Sequence, residues 1–412
     1  MKNNYKIKAK LVITPENQIK EGIIEIKGKI IEGIYNSSSD NKNIIDIGDK
    51  IIFPALINAH DHLLGNYYPR VGKGPYINWL PWDNDLKSSP VYAERSKIPP
   101  KEIYLLGSYR NILSGVTTVS DHIPHFVNEP YLNILPIRVI KDYTLAHESS
   151  NYDLKWGDGI EVEFQKAVEN DIPFITHIEE GYDEESKRGI EILLEKNALD
   201  EHTVLIHAIA LSDDDIKAVA EKRANIVWCP NSNIFMFNRT GNIKKWLENN
   251  INVSLGTDSP MSGGLNILDE LKFGKKIYKE KYNEEISDDI LIKFITINAA
   301  KALRVYNKIG SLEKGKIADF IAIEGNVDSP YTSLVNAELK DISLVVYEGK
   351  PLYGNIEYED YFKDIYGSKK KLYKFKVEKR EKIGIFDPLA LLNKIRGLVG
   401  FKKELPFLPV EK

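Results

Sequence analysis

The stretch Phe53 to Leu64, FPALINAHDHLL, is an apolar run closed by two histidines two residues apart. Along a β-strand residues i and i+2 share a face, so the His60 and His62 imidazoles are expected to project together into one cavity. Ile51, Ile52, Phe53, Leu56 and Ile57 describe a strand buried on both faces. Two convergent neutral imidazoles are half of a zinc or iron site. With only 8 histidines in 412 residues, a chance pair on a surface strand is the weaker reading.

On either side of this stretch the texture alternates. Apolar strands are expected at 51–57, 115–121, 136–142, 172–178, 203–208, 225–229 and 252–257. Most are separated by helical patterns such as EVEFQKAVEN, SKRGIEILLEKN, SDDDIKAVAEKR and NIKKWLENN. Strand, helix, strand at this rhythm means right-handed βαβ units and a parallel sheet. His62, His122, His177, His207 and Asp258 all fall at or just past the C-terminal end of their strand, where a (β/α) barrel places its active site. A doubly wound sheet would carry a Gly-rich phosphate loop after its first strand, and none is present. From the second strand to His177 there is room for about one βα unit fewer than an eight-fold barrel uses, so the barrel is expected to be distorted.

Both ends of the chain read differently. YKIKAKLVIT and GIIEIKGKIIEGIY near the start, and GSLEKGKIADFIAIEG with ISLVVYEGKPLYG after residue 310, are short strands with Gly, Asn and Asp turns. Each set alone offers few strands to bury, so one small composite β-sandwich built from both ends is expected. The resulting division is 1–52 and 310–368 for the sandwich, 53–309 for the barrel and 369–412 for a C-terminal extension. That extension, KKKLYKFKVEKREK and then FDPLALLNKIRGLVGF, reads as a solvated edge strand and a packing helix.

Composition narrows the functional classes. The 56 basic and 60 acidic residues leave a formal charge of -4, which gives no reason to expect nucleic acid or an anionic membrane as partner. A single cysteine, Cys229, rules out an intrachain disulfide and any Cys-x-x-Cys zinc site. No apolar run approaches the roughly 20 residues that span a bilayer, and the first dozen residues lack a signal-peptide pattern, so a cytoplasmic protein is expected.

The chemistry-bearing residues gather at four strand ends. PFITH ends in His177, a third imidazole to join His60 and His62, and Glu180 follows three residues on. TVLIH ends in His207. NVSLGTD ends in Asp258, whose carboxylate could bind the metal, orient a water, or both. A lone strand-end histidine is more often structural, but four independent strands delivering His or Asp to one rim is a much stronger signal.

HDH, HIEE, IHAIAL, CPNSN, GTDS, NAAKALRV and IGSLEKGKIADFIAI, in that order, resemble the amidohydrolase superfamily, in particular its mononuclear branch of aminohydrolases and chlorohydrolases acting on heterocycles. The resemblance runs over most of residues 5 to 355. It implies a distorted (β/α) TIM-type barrel with a composite β-sandwich. It also implies one divalent metal ion, zinc or alternatively iron, held by His60, His62, His177 and Asp258, with Glu180 and His207 moving protons. The implied activity is deamination of an amino-substituted heterocycle by a metal-activated hydroxide, with Asp258 sharing in the proton transfer. A homo-oligomer is expected on the same ground.

Hydrolysis of an amide, cyclic amide or carbon–halogen bond is the alternative, with Lys141 as a possible bridge between two metals. Glu180 favours one metal. Trp79, His122, His147 and Asn231 are the candidate substrate contacts, with Trp82, Phe235, Met236, Phe237 and Met261 as further candidate aromatic or apolar walls. Arg70, Lys73 and Arg239 are candidates for an anionic substituent. His125 reads as loop surface.

Overall fold

The computed structural model describes residues 4–36 and 44–412. The Asn- and Asp-rich turn expected between Tyr35 and Ile44 lies largely outside them. In chain order the strands are β1 (Asn4–Ile13), β2 (Gln18–Lys27), β3 (Ile30–Tyr35), β4 (Ile44–Asp46), β5 (Ile51–Pro54), β6 (Leu56–Asp61), β7 (Val116–Asp121), β8 (Arg138–Val139), β9 (Thr144–Glu148) and β10 (Phe174–Ile178). They continue with β11 (Thr203–His207), β12 (Asn225–Trp228), β13 (Asn252–Leu255), β14 (Phe320–Ile323), β15 (Ile342–Tyr347), β16 (Lys350–Asn355), β17 (Tyr373–Val377), β18 (Arg380–Gly384) and β19 (Val410–Glu411).

The two chain ends build one sheet, in the order β19-β17-β18-β16-β15-β14-β5-β1-β2-β3, with β4 beside β1. The join is β5, which runs parallel to β1 and antiparallel to β14. Ile7, Val12, Ile24, Ile52, Phe320, Leu344 and Phe362 share one apolar cluster on this sheet. The extension beyond residue 369 adds the β17–β18 hairpin to β16, and its helix Pro388–Val399 reaches the helix Pro100–Leu113 through Lys394 and Glu102.

The run read as a single strand, 51–57, changes sheets at Ala55. Its first half, β5, belongs to the composite sheet, and its second half, β6, enters the parallel layer. Ala55 donates its N–H to Asp319 O at 3.1 Å while Leu56 donates to Gly115 O at 3.1 Å. Successive residues thus satisfy their backbone groups in different sheets, and the apolar run is continuous because both halves are buried.

The parallel strands form two sheets, β6-β7-β8 and β13-β12-β11-β10-β9. One crossover is missing. Four residues, Ile140 to Tyr143, separate β8 from β9, whereas a parallel crossover needs a dozen or more. The segment 138–148 is instead one stretch that changes partner: Thr118 pairs with Arg138 on one side, and Phe174 pairs with Thr144 on the other. At the other seam, β6 and β13 are linked by the single bridge Asp61–Asp258. NAAKALRV covers the helix Ile297–Ala302. It sits at the N-terminal ends of the strands, where Asn298 Nδ2 donates to Val253 O and Ile57 N–H reaches the nearby Ile295 O. Its alanines pack on Ile57, Ile175, Val204 and Val227, which leaves the C-terminal ends of the strands free for chemistry. Among the described residues no helix is long and apolar enough to cross a membrane.

Candidate active site

β6, β10, β11 and β13 deliver their polar residues to one place. Donor atoms of His60, His62 and His177 lie within 4.8 Å of one another, as do those of His60, His207 and Asp258 and those of His177, Glu180 and His207. All six residues are buried apart from His62, which is half-buried. The strand ends turn sharply: Glu179, His207, Ala208 and Asp258 have φ of 48°, 71°, 50° and 59°. Side chains with a Cβ adopt this left-handed conformation at a cost of about 1 kcal/mol or more, and such strain collects at functional sites.

Hydrogen bonds orient each ring. His177 Nδ1 donates to His147 O at 2.7 Å, which leaves its Nε2 lone pair facing the cluster. Asn233 Nδ2 is engaged with Thr240 Oγ1, so Asn233 Oδ1 is the acceptor for His207 Nδ1 at 2.8 Å. The free His207 Nε2 faces Glu180 Oε1 at 3.6 Å. Asp258 Oδ2 accepts from Ser232 Oγ at 2.7 Å and from Ser262 Oγ, while Oδ1 lies 3.5 Å from His60 Nε2 and 3.4 Å from His62 Nε2.

Burial sets the charges. It pushes His60 and His147 down to about 3 and lowers His122, His177 and His207, so the imidazoles are neutral and can ligate a metal. Burial opposes ionisation of Asp258, but the His60 contact and the neighbouring imidazoles outweigh it and hold the carboxyl well below its ordinary range. Glu180 moves the other way. Burial first, then the Asp258 and Glu148 carboxyls, raise it well above the ordinary value, which favours its protonated form.

The donor set fits a divalent cation. His60 has zero exposure, and neither ring nitrogen has a hydrogen-bond partner. A buried imidazole left so is costly unless a further group takes its lone pair. Three imidazoles and a carboxylate are the nitrogen and oxygen donors that zinc accepts.

Residues 157–352 match the model of the amidohydrolase family. The chain is 28% identical over 397 residues to a 5-methylthioadenosine/S-adenosylhomocysteine deaminase of Thermoanaerobacter pseudethanolicus, covering 81% of this chain and 89% of that one. It is 27% identical over 364 residues to a 5'-deoxyadenosine deaminase of Methanococcus vannielii, covering 74% and 83%. In fold it is similar to a zinc-bound adenosine deaminase from Xanthomonas campestris, with a TM-score of 0.72 at 16% identity over 96% of this chain and 97% of that chain. The chain is thus similar to the amidohydrolase family.

Trp79 and His147 stand beside the histidine cluster, their rings 4.7 Å apart, with Trp156 also 4.7 Å from His147. Trp79 Nε1 donates to Glu148 Oε2 at 2.7 Å. His122 lies 4.6 Å from the His177 ring and donates Nε2–H to Ala146 O at 3.1 Å. Asn231 turns elsewhere: its Oδ1 accepts from Arg70 Nη2 at 2.9 Å, and its N–H donates to Glu270. That bond, with Gly263 O, engages Arg70, while Arg239 covers the Tyr182 ring and Lys73 is exposed. Trp82 Nε1 donates to Val71 O, and Met236 and Phe237 are core residues. His125 joins Tyr143 O at 2.9 Å. Lys141 is exposed in a surface cleft with Asp171 and Arg304, so the bridging arrangement between two metals has no geometry here.

Ser232, Asn233, Ser262 and Glu148 escaped the sequence reading. CPNSN did contain a usable signal. Pro230 opens the helix Pro230–Phe237, so the first-turn residues Ser232 and Asn233 reach back over the strand ends while Asn231 faces away.

Proposed function

We propose that this protein is an amidohydrolase, a mononuclear zinc-dependent deaminase of an amino-substituted purine or related heterocycle. His60, His62, His177 and Asp258 would hold the ion, with the parallel strands acting as a distorted barrel around it. The observation that carries this reading is the buried Glu180 carboxyl facing His207 Nε2 at 3.6 Å beside that donor set. The relatives that act on adenosine-type nucleosides support the substrate class.

Held by His60, His62, His177 and Asp258, zinc would supply Lewis acidity, which brings the pKa of water from about 15.7 toward 7. His207 Nε2, its tautomer set by Asn233, takes a proton from the attacking water. Asp258 stays ionised and orients that water, its second oxygen anchored by Ser232 and Ser262. Glu180 gives its proton to the ring nitrogen next to the attacked carbon. The proton held on His207 passes to the exocyclic amine, which leaves as ammonia, and the remaining hydroxyl proton goes to Glu180 as the carbon becomes a carbonyl. His147 Nδ1 accepts from Leu154 N–H, which leaves its Nε2–H to donate to the heterocycle. Trp79 supplies a flat wall.

The test is an ammonia-release screen of the zinc-loaded chain over 5'-deoxyadenosine, 5'-methylthioadenosine, adenosine, guanine and an aminotriazine, with and without chelator. Chelator-sensitive release from one of them is expected. A chain with one equivalent of zinc that releases ammonia from none would sink the deaminase reading.

A further inference from the structure

Three of the four metal donors, His60, His62 and Asp258, come from the first and last parallel strands, yet β6 and β13 share one bridge and no ladder. The backbone bonds here are His62 N–H to Asp258 O at 2.6 Å and Asp258 N–H to His60 O at 3.0 Å. Two hydrogen bonds at the tip of a seam leave the strands free to slide or splay, and any such movement separates Asp258 from the two histidines.

What fills the seam below is a buried polar plug. Asp61, between the two histidines, accepts at Oδ2 from Arg110 Nη2 at 2.5 Å, from Asn111 Nδ2 at 3.0 Å and from Asn58 Nδ2 at 3.2 Å, and at Oδ1 from Asn66 Nδ2 at 3.1 Å. Arg110 Nη2 also donates to Thr257 Oγ1 at 2.8 Å, as does Asn58 Nδ2, and Thr257 N–H returns a bond to Asn58 Oδ1 at 3.1 Å. Each of these residues is at most 2% exposed. Thr257 immediately precedes Asp258. The plug therefore ties the strand carrying His60 and the residue beside Asp258 to one guanidinium on the helix Pro100–Leu113.

A buried ion pair is weak evidence for stability, because desolvating two charges offsets their attraction. It does fix geometry, since each oxygen and each N–H has one place that satisfies it. We propose that Asp61, Arg110 and Thr257 are positioning residues of the metal centre, holding Asp258 in register with His60 and His62 where the two strands make no ladder. The proposal rests on the metal-site reading above. It goes beyond that reading by assigning the preorganisation of the site to residues that touch no substrate.

The experiment measures zinc affinity of the metal-free full-length protein by competition with a chromophoric chelator, with circular dichroism to report folding. Asp61→Asn removes the charge opposite Arg110, and Thr257→Val removes only the shared hydroxyl. Asp319→Asn is the control: it breaks another ion pair, between half-buried Arg138 Nη1 and buried Asp319 Oδ2 at 2.5 Å, which ties β8 to the composite sheet. Asp61→Asn and Thr257→Val are expected to weaken zinc binding about 10–100-fold, the range for residues that orient ligands. Asp319→Asn is expected to lower Tm with affinity unchanged. Wild-type affinity in Thr257→Val, or an equal loss in Asp319→Asn, overturns the proposal even if Asp61→Asn fails to fold. Failure of the unaltered chain to take up zinc would instead remove the metal-site reading itself, and this inference with it.

Discussion

His207 presents an unprotonated Nε2 to Glu180 Oε1 at 3.6 Å because Asn233, 26 residues on, has accepted the proton-bearing Nδ1 at 2.8 Å. A proton acceptor and a proton donor therefore face each other over the metal donors. The division of labour is set by environment: burial lowers the pKa of His207 and raises that of Glu180.

The first prediction concerns the donor. Glu180→Gln keeps the shape and removes the transferable proton, so kcat is expected to fall about 10²–10⁴-fold. Zinc content should stay at one equivalent by elemental analysis. Activity within a few-fold of the unaltered protein would remove Glu180 from the mechanism.

Asn233→Ala tests the tautomer. Without its acceptor, His207 is free to carry its proton on Nε2, the wrong nitrogen for taking one from water. We expect kcat to drop about 10-fold or more, on the scale of lost orienting contacts, with KM little changed. A loss confined to KM would point to a role in substrate binding instead.

Metal removal should be visible in stability as well as in turnover. An ion bound only by the folded state adds about 4 kcal/mol when present at a thousand times its dissociation constant. Scanning calorimetry of chelated and zinc-restored protein is expected to show a Tm several degrees lower without metal, recovering on addition of zinc. Identical Tm values would contradict a metal bridging the first and last parallel strands.

Lys382 offers a prediction far from the site. Its Nζ, buried in the C-terminal hairpin, donates to Ile342 O at 2.7 Å, Asn355 Oδ1 at 2.7 Å and Lys340 O at 2.8 Å. Lys382→Met would orphan these acceptors and is expected to cost about 3 kcal/mol. Burial pushes Lys382 down to about 7, whereas in the unfolded chain it titrates near 10.4. Between those values the unfolded state binds more protons, so stability gains with rising pH through this residue. Urea unfolding at pH 7 and pH 9 should thus show the gap between the two proteins widening at the higher pH. A gap that narrows would mean that the three acceptors keep the ammonium charged.

The sequence alone carried much of this architecture. Periodicity located the parallel strands apart from β9, and four of the helices between them, because burial on both faces and 3.6-residue patterning are local properties. The rim was legible for a related reason: His62, His177, His207 and Asp258 stand where an apolar run stops. Spacing even revealed that a crossover was missing, since chain length bounds the number of βα units.

What only the tertiary structure decided depends on partners distant in sequence. Whether 51–57 was one strand or two turned on which sheet satisfied the amides of Ala55 and Leu56. That the shortfall before His177 becomes a segment trading β7 for β10 could not be read from residues 138–148 themselves. Asn231, Ser232 and Asn233 are near-equivalent as letters, and only the direction of their helix sends two toward the site and one toward Arg70. The protonation of Glu180 and His207 likewise follows from desolvation and neighbouring charge, which exist only once the strand ends have met.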